Sequence, residues 1–304
     1  MSAAPSPLRA YAAVTAAYWA FMLSDGALRM LVLLHFHELG YSPVSLAYLF
    51  VLYEIAGVIT NLAAGWIAAR FGLNSTLYAG LGLQVVALVA LAQIGVGSIA
   101  LIMLVQGLSG VAKDLAKMSS KSAVKLLAPE GDGSLFRWVA VLTGSKNAVK
   151  GLGFLLGAVL LGGLGFTNAL YAMAAGLALI LLLVALFMPA GMPRGMKGVK
   201  FAEVISRNRN INWLSLARVF LFGARDVWFV VGLPVFLYAA GWRFVEVGAF
   251  LAAWTIAYGG IQAAAPNLVT RSADGLSREV PNARLWAGLL VAVPLVLALL
   301  LQSP

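Results

Sequence analysis

The chain has 304 residues, of which 62% are hydrophobic and only 11% charged, with a mean hydropathy of +0.93. Soluble domains carry about a quarter charged residues, so a soluble globular fold, a disordered chain and a nucleic-acid binder are excluded, the last despite a net charge of +10. The absence of cysteine excludes a disulfide framework and any thiolate-ligated metal or iron–sulfur site.

Residues 1–9 lack the charged start, short apolar core and small-residue cleavage site of a signal peptide. A bilayer span needs about 20 apolar residues. Nine such stretches follow in order: 11–34, 44–68, 76–94, 98–116, 138–160, 166–188, 213–238, 244–265 and 284–303. Each is predicted to be helical, because hydrocarbon offers no partner to a free backbone N–H or C=O. The fold class is therefore an all-α polytopic membrane protein. The loops alternate in charge. One set carries Arg9, Arg70, Lys117, Lys121, Lys125, Arg137, Arg194, Lys197, Lys200, Arg207, Arg209, Arg271, Arg278 and Arg284, and the other carries only Arg243. The positive-inside rule puts the first set, and with it the N-terminus, in the cytoplasm.

Segments 25–65 and 226–266 align at an offset of 201, which matches Asp25 with Asp226, Gly40 with Gly241, Tyr41 with Trp242, Val44 with Val245 and Asn61 with Gln262. Spans 1 and 2 thus map onto spans 7 and 8 in the same orientation. Six spans, a long basic cytoplasmic loop and a parallel repeat resemble the plan of the major facilitator fold. On that plan residues 1–188 form an N-terminal six-helix half, 189–212 a cytoplasmic linker and 213–304 three helices of a C-terminal half. Nine of twelve helices are then present. A C-terminally truncated chain is the expectation, and a nine-span variant the alternative.

Charges inside spans are costly and point to function. Span 1 holds Asp25 and Arg29, four apart and so on one helix face. Span 2 holds Glu54 and Asn61, and span 4 runs into Lys113, Asp114, Lys117, Lys121 and Lys125. Span 5 holds Lys146, Asn147 and Lys150, and span 7 holds Arg218, Arg225 and Asp226. Arginine takes phosphate or carboxylate through two bonds and lysine acts as a point charge. The candidate substrate-binding residues are accordingly Arg29, Lys113, Lys117, Lys146, Lys150, Arg218 and Arg225. Asp25, Glu54 and Asp226 either carry a coupling proton or hold helices together, with Asp25–Arg29 and Arg225–Asp226 as internal pairs. Lys146 and Lys150 have no acid near them in sequence, which favours a functional role. Lys121 and Lys125 read as anchors that snorkel to headgroups.

His35, His37 and Glu38 lie at the external end of span 1. Two histidines make an incomplete metal site, so they read as interface residues, and no metal, cofactor or enzymatic constellation is expected. Trp19, Trp66, Trp213 and Trp242 read as interfacial aromatics, and Trp228 as a cavity residue. The loop GWIAARFGLN, residues 65–74, resembles the facilitator signature Gly-x-x-x-Asp-Arg-x-Gly-x-basic. Gly65, Arg70 and Gly72 match it. Ala69 and Asn74 replace its acid and its final base, so a gating role rests on Arg70.

The runs SDGALRMLVLLHFHELGYSP (24–43), LSGVAKDLAKMSSKSAVKLLAPEG (108–131), WVAVLTGSKNAVKGLGF (138–154) and FLFGARDVWFVVGLPVFL (220–237) resemble the organoarsenical efflux permeases of the major facilitator superfamily. That resemblance implies export of 1-arseno-3-phosphoglycerate by alternating access from the bacterial cytoplasmic (inner) membrane, conferring arsenate resistance. It also implies a functional link to a glyceraldehyde-3-phosphate dehydrogenase that makes this anion, and a monomer whose partners are its cargo and the lipid bilayer. The alternatives are a facilitator for another organic anion or drug, and a nonfunctional truncated fragment of one.

Overall fold

The computed structural model describes residues 7–127, 134–188, 208–226, 240–268 and 279–301, together with 229, 233, 236 and 237. The described residues form helices joined by short turns, with no strand among them. In chain order these are α1 (Pro7–Glu38), α2 (Pro43–Tyr48), α3 (Val51–Phe71), α4 (Leu73–Ile94), α5 (Ile99–Leu127), α6 (Ser134–Phe187), α7 (Arg209–Asp226), α8 (Phe244–Leu268) and α9 (Glu279–Leu301). Seven helical segments are long and apolar enough to cross a membrane, with α2 and α3 counted together. One of them is α6, whose 54 residues would extend about 80 Å if straight. It breaks at Gly165, which takes φ +73° and ψ 172°, and so supplies both spans 5 and 6. Helix α7 covers the first part of the stretch expected as span 7.

The two repeats share their turn chemistry. Gly40 and Gly241 take φ +88° and +85°, a conformation that costs glycine little and other residues much. The N–H of Tyr41 donates to the carbonyl of Phe36 at 3.1 Å, and that of Trp242 to the carbonyl of Leu237 at 3.0 Å. Both are the six-to-one bond that closes a helix in a Schellman turn. The next helices begin at Pro43 and Phe244. Every one of these pairs keeps the offset read from the sequence.

Helix α1 is the most enclosed element. Tyr18, Phe21, Leu31 and Phe36 are all buried on it. It packs chiefly on the first half of α6, which also packs on α8, while α5 packs on α3 and α4. Gly144 of α6 and Gly259 of α8 set the α6–α8 crossing, since a Cβ on either would strike the other's carbonyl oxygen. Without a hydrophobic drive between helices in lipid, such close backbone contact is what holds them. A polar chain runs beside it: Asn147 donates to Gln262 Oε1, and Gln262 Nε2 donates to Tyr258 Oη at 2.7 Å. The apolar side chains of α9 and of the second half of α6, such as Leu290, Leu297, Leu182 and Leu186, point outward, as lipid-facing surfaces do.

Candidate functional site

Helices α1, α3, α5 and the first half of α6 bring one charged cluster together inside the bundle. Asp25 and Arg29 sit one turn apart on α1. Tyr53 and Glu54 lie in the first turn of α3, where the positive end of the helix favours an acid. Helix α5 continues well past its apolar stretch and so carries Lys113, Asp114, Lys117 and Lys121 on one rod. Helix α6 carries Lys146 and Lys150.

Asp25 is buried, accepts a bond from Lys150 Nζ at 2.6 Å and another from the hydroxyl of Tyr53. Arg29 Nη2 donates to Glu54 Oε1 at 2.9 Å. Lys113 Nζ stands 3.7 Å from Glu54 Oε2 and 3.9 Å from Asp114 Oδ2. Lys117 pairs with Asp114 one turn away. The Tyr53 ring lies 4.0 Å from Lys113 Nζ and 4.9 Å from Arg29 Cζ, and the Phe50 ring is 5.2 Å from Arg29 Cζ. These aromatic faces hold both cations by their quadrupoles. Gly57 makes room for Asp114, because a Cβ there would come within 2.8 Å of Asp114 Oδ2. Lys146 is half-buried and has no carboxylate at ion-pair distance among the described residues. Among the described residues, the lysines Lys121, Lys150, Lys117 and Lys113 place positive charge around it.

This arrangement corrects several expectations. Asp25 and Arg29 share a face but do not pair with each other, because Asp25 is taken by Lys150 of α6 and Tyr53 of α3, and Arg29 by Glu54 of α3. Lys150 does have an acid, contributed by Asp25 from 125 positions away. Trp19 is a packing residue as well as an exposed one, donating its indole N–H to Ser145 Oγ of α6 at 2.9 Å. His35 stacks on Phe166 with ring centroids 4.0 Å apart. Arg70 is exposed, its guanidinium 5.5 Å from the Trp66 ring. Gly72 takes φ +86° and joins α3 to α4. Gly65 lies on α3, and its surroundings are outside the described residues. Arg218, Arg225 and Asp226 lie on α7, but their side chains are outside the described residues, as is Trp228 altogether. Tyr53 was missed from the sequence, although an aromatic next to an intramembrane acid was a signal available to find it.

The sequence matches the family model described as Major Facilitator Superfamily over residues 14–304. Among solved structures it is similar to one described as the crystal structure of a POT family transporter in complex with thioalcohol conjugated peptide. That similarity has a TM-score of 0.50 and 17% identity, covering 79% of this chain and 49% of that chain. The chain thus spans about half the length of that transporter, and at this identity the likeness is one of fold. No curated protein matches it in sequence. With the family model covering almost the whole sequence, and with helices and repeated turns arranged accordingly, the chain belongs to the major facilitator superfamily, a family of multi-pass membrane transporters.

Proposed function

We propose that this major facilitator exports an organic anion carrying arsenate and phosphate groups, 1-arseno-3-phosphoglycerate, by alternating access, and so confers arsenate resistance. The observation that carries the reading is the charge imbalance of the cluster. Among the described residues, Arg29, Lys113, Lys117, Lys146 and Lys150 share only Asp25, Glu54 and Asp114, and Lys146 is left with no acid. An excess of cations in low dielectric is relieved by an anionic ligand. The four sequence runs quoted above support the arsenical as that ligand. On this reading Arg218 and Arg225 of α7 meet the cargo from the other half, and Arg70 with Gly65 and Gly72 gates the cytoplasmic loop. Asp25, Glu54 and Asp226 pair helices or couple protons. The N-terminus lies in the cytoplasm of a bacterial cell, and the protein acts as a monomer beside a glyceraldehyde-3-phosphate dehydrogenase.

The test is growth of an arsenate-sensitive bacterial strain expressing the protein with and without that dehydrogenase. Resistance is expected only with both, and Lys146→Gln is expected to abolish it while inserting normally. Resistance that ignores the dehydrogenase would favour the second reading, a transporter of another organic anion, which the same charge imbalance supports. Full resistance in the Lys146→Gln variant would sink the anion site itself.

A further inference from the structure

The three carboxylates of the cluster are not equivalent. The side chains of Asp25 and Asp114 are sealed, at 2% and 3% exposure, whereas that of Glu54 is 50% exposed. Glu54 lies within a membrane-spanning helix, where a carboxylate turned to lipid is costly. On the anion-transport reading its open side faces the aqueous path of the cargo.

Glu54 is also an incomplete partner for the cations it touches. It takes one bond from Arg29 through Nη2, and the buried Nε–H of Arg29 has no acceptor among the described residues. An arginine fork engages a phosphate or carboxylate best through two parallel bonds. Lys113 stands 3.7 Å from Glu54 and 3.9 Å from Asp114, beyond hydrogen-bond distance of both. Glu54 is not the sole anchor of the two cations, because the ring of Tyr53 lies against both and that of Phe50 against Arg29.

We infer that Glu54 occupies the anion-recognition position of the cavity, and that cargo loads by exchange. An incoming phosphate-, arsenate- or carboxylate-bearing group takes Arg29 and Lys113, and the Glu54 carboxylate swings into water. Asp25 stays closed with Lys150 and Tyr53 during the exchange and ties α1 to α6 and α3, while Asp114 stays paired with Lys117 within α5. The cation pair is then never bare in low dielectric, whichever anion covers it. The cost falls on affinity, which is reduced by the fraction of time that Glu54 is docked. This inference rests on the anion-transport reading above.

The test uses the purified full chain in lipid nanodiscs, titrated calorimetrically with inorganic phosphate. Glu54→Gln removes the competing charge, and Asp114→Asn removes an equal charge from a sealed position near the same lysine. Glu54→Gln is expected to bind phosphate about tenfold tighter than the parent protein, with Asp114→Asn within about twofold of it. Equal tightening in both would mean a general gain in positive potential and would overturn the inference. So would unchanged or weaker binding by Glu54→Gln, or no phosphate binding by any of the three. If Glu54→Gln does not survive purification, Glu54→Asp replaces it. Its shorter arm cannot span both cations, so severalfold tighter binding is expected, and unchanged affinity overturns the inference. Phosphate exchange without arsenate resistance would keep the exchange and remove the arsenical cargo, and resistance without phosphate exchange would do the reverse.

Discussion

Lys146 and Lys150 stand one turn apart on α6 and are both half-buried, yet among the described residues only Lys150 has a carboxylate. Their substitutions should separate stability from transport. Removing one partner of a buried ion pair costs about 3–5 kcal/mol, because the other charge is left uncompensated. Lys150→Gln should therefore lower the melting temperature of the purified protein clearly. Lys146→Gln removes a cation that faces other lysines, so it should leave melting unchanged or raise it while abolishing transport. Equal melting of the two variants in a differential scanning experiment would contradict this. At this scale the sequence was half legible. Charged residues stand out in apolar spans because lipid makes them expensive, and i to i+4 spacing says which share a face. It does not say what lies opposite. Asp25 and Lys150 find each other across 125 positions, and Tyr53, in sequence one more aromatic in an apolar stretch, becomes the residue that touches three of the cluster's charged groups.

The α6–α8 crossing is the element-scale counterpart of that cluster. A β-branched side chain at Gly144 would have to displace the Gly259 backbone and Ala263, and overpacking of this kind typically costs 1–3 kcal/mol, roughly, or more against rigid backbone. Gly144→Val should shift the protein to aggregates in size-exclusion chromatography and lose transport. Gly176→Ala, with nothing within 4 Å of the added carbon, should match the parent protein in both. Element positions were largely readable, since the nine apolar stretches are helical in their described parts apart from the turn at Leu49–Phe50 and a residue or two at their ends. The break at Gly165 falls in the gap expected between spans 5 and 6. The separation of α2 from α3 at Leu49–Phe50 was not readable, because it interrupts an unbroken apolar run. Nor was the length of α5, which continues through its lysines because a helix does not end where the bilayer does.

Across the whole molecule, the lack of native cysteine makes orientation directly measurable. Ser75 and Val96 are exposed at opposite ends of α4. With Ser75→Cys and Val96→Cys introduced singly, a membrane-impermeant maleimide should label Ser75→Cys only after the cells are opened and Val96→Cys in intact cells. The opposite pattern would reverse the orientation drawn from the loop charges. The repeat was legible at this scale because the backbone at Gly40 and Gly241 demands the same residue type in both copies. That α6 serves as the common neighbour of α1 and α8 was not, because hydropathy reports immersion in lipid and carries no information on which helices touch.

The distance along the chain between Asp25 and Lys150 also sets a problem of timing during synthesis. Ribosomes add about 5–20 residues per second, so the 125 intervening positions take roughly 6–25 s to emerge. For that interval α1 has entered the membrane with an acid whose lysine does not yet exist. Tyr53 follows Asp25 by only 28 positions and Glu54 follows Arg29 by 25. The α1–α3 hairpin can thus cover both charges of α1 early, and it is the unit that carries them in the bilayer until α6 is made.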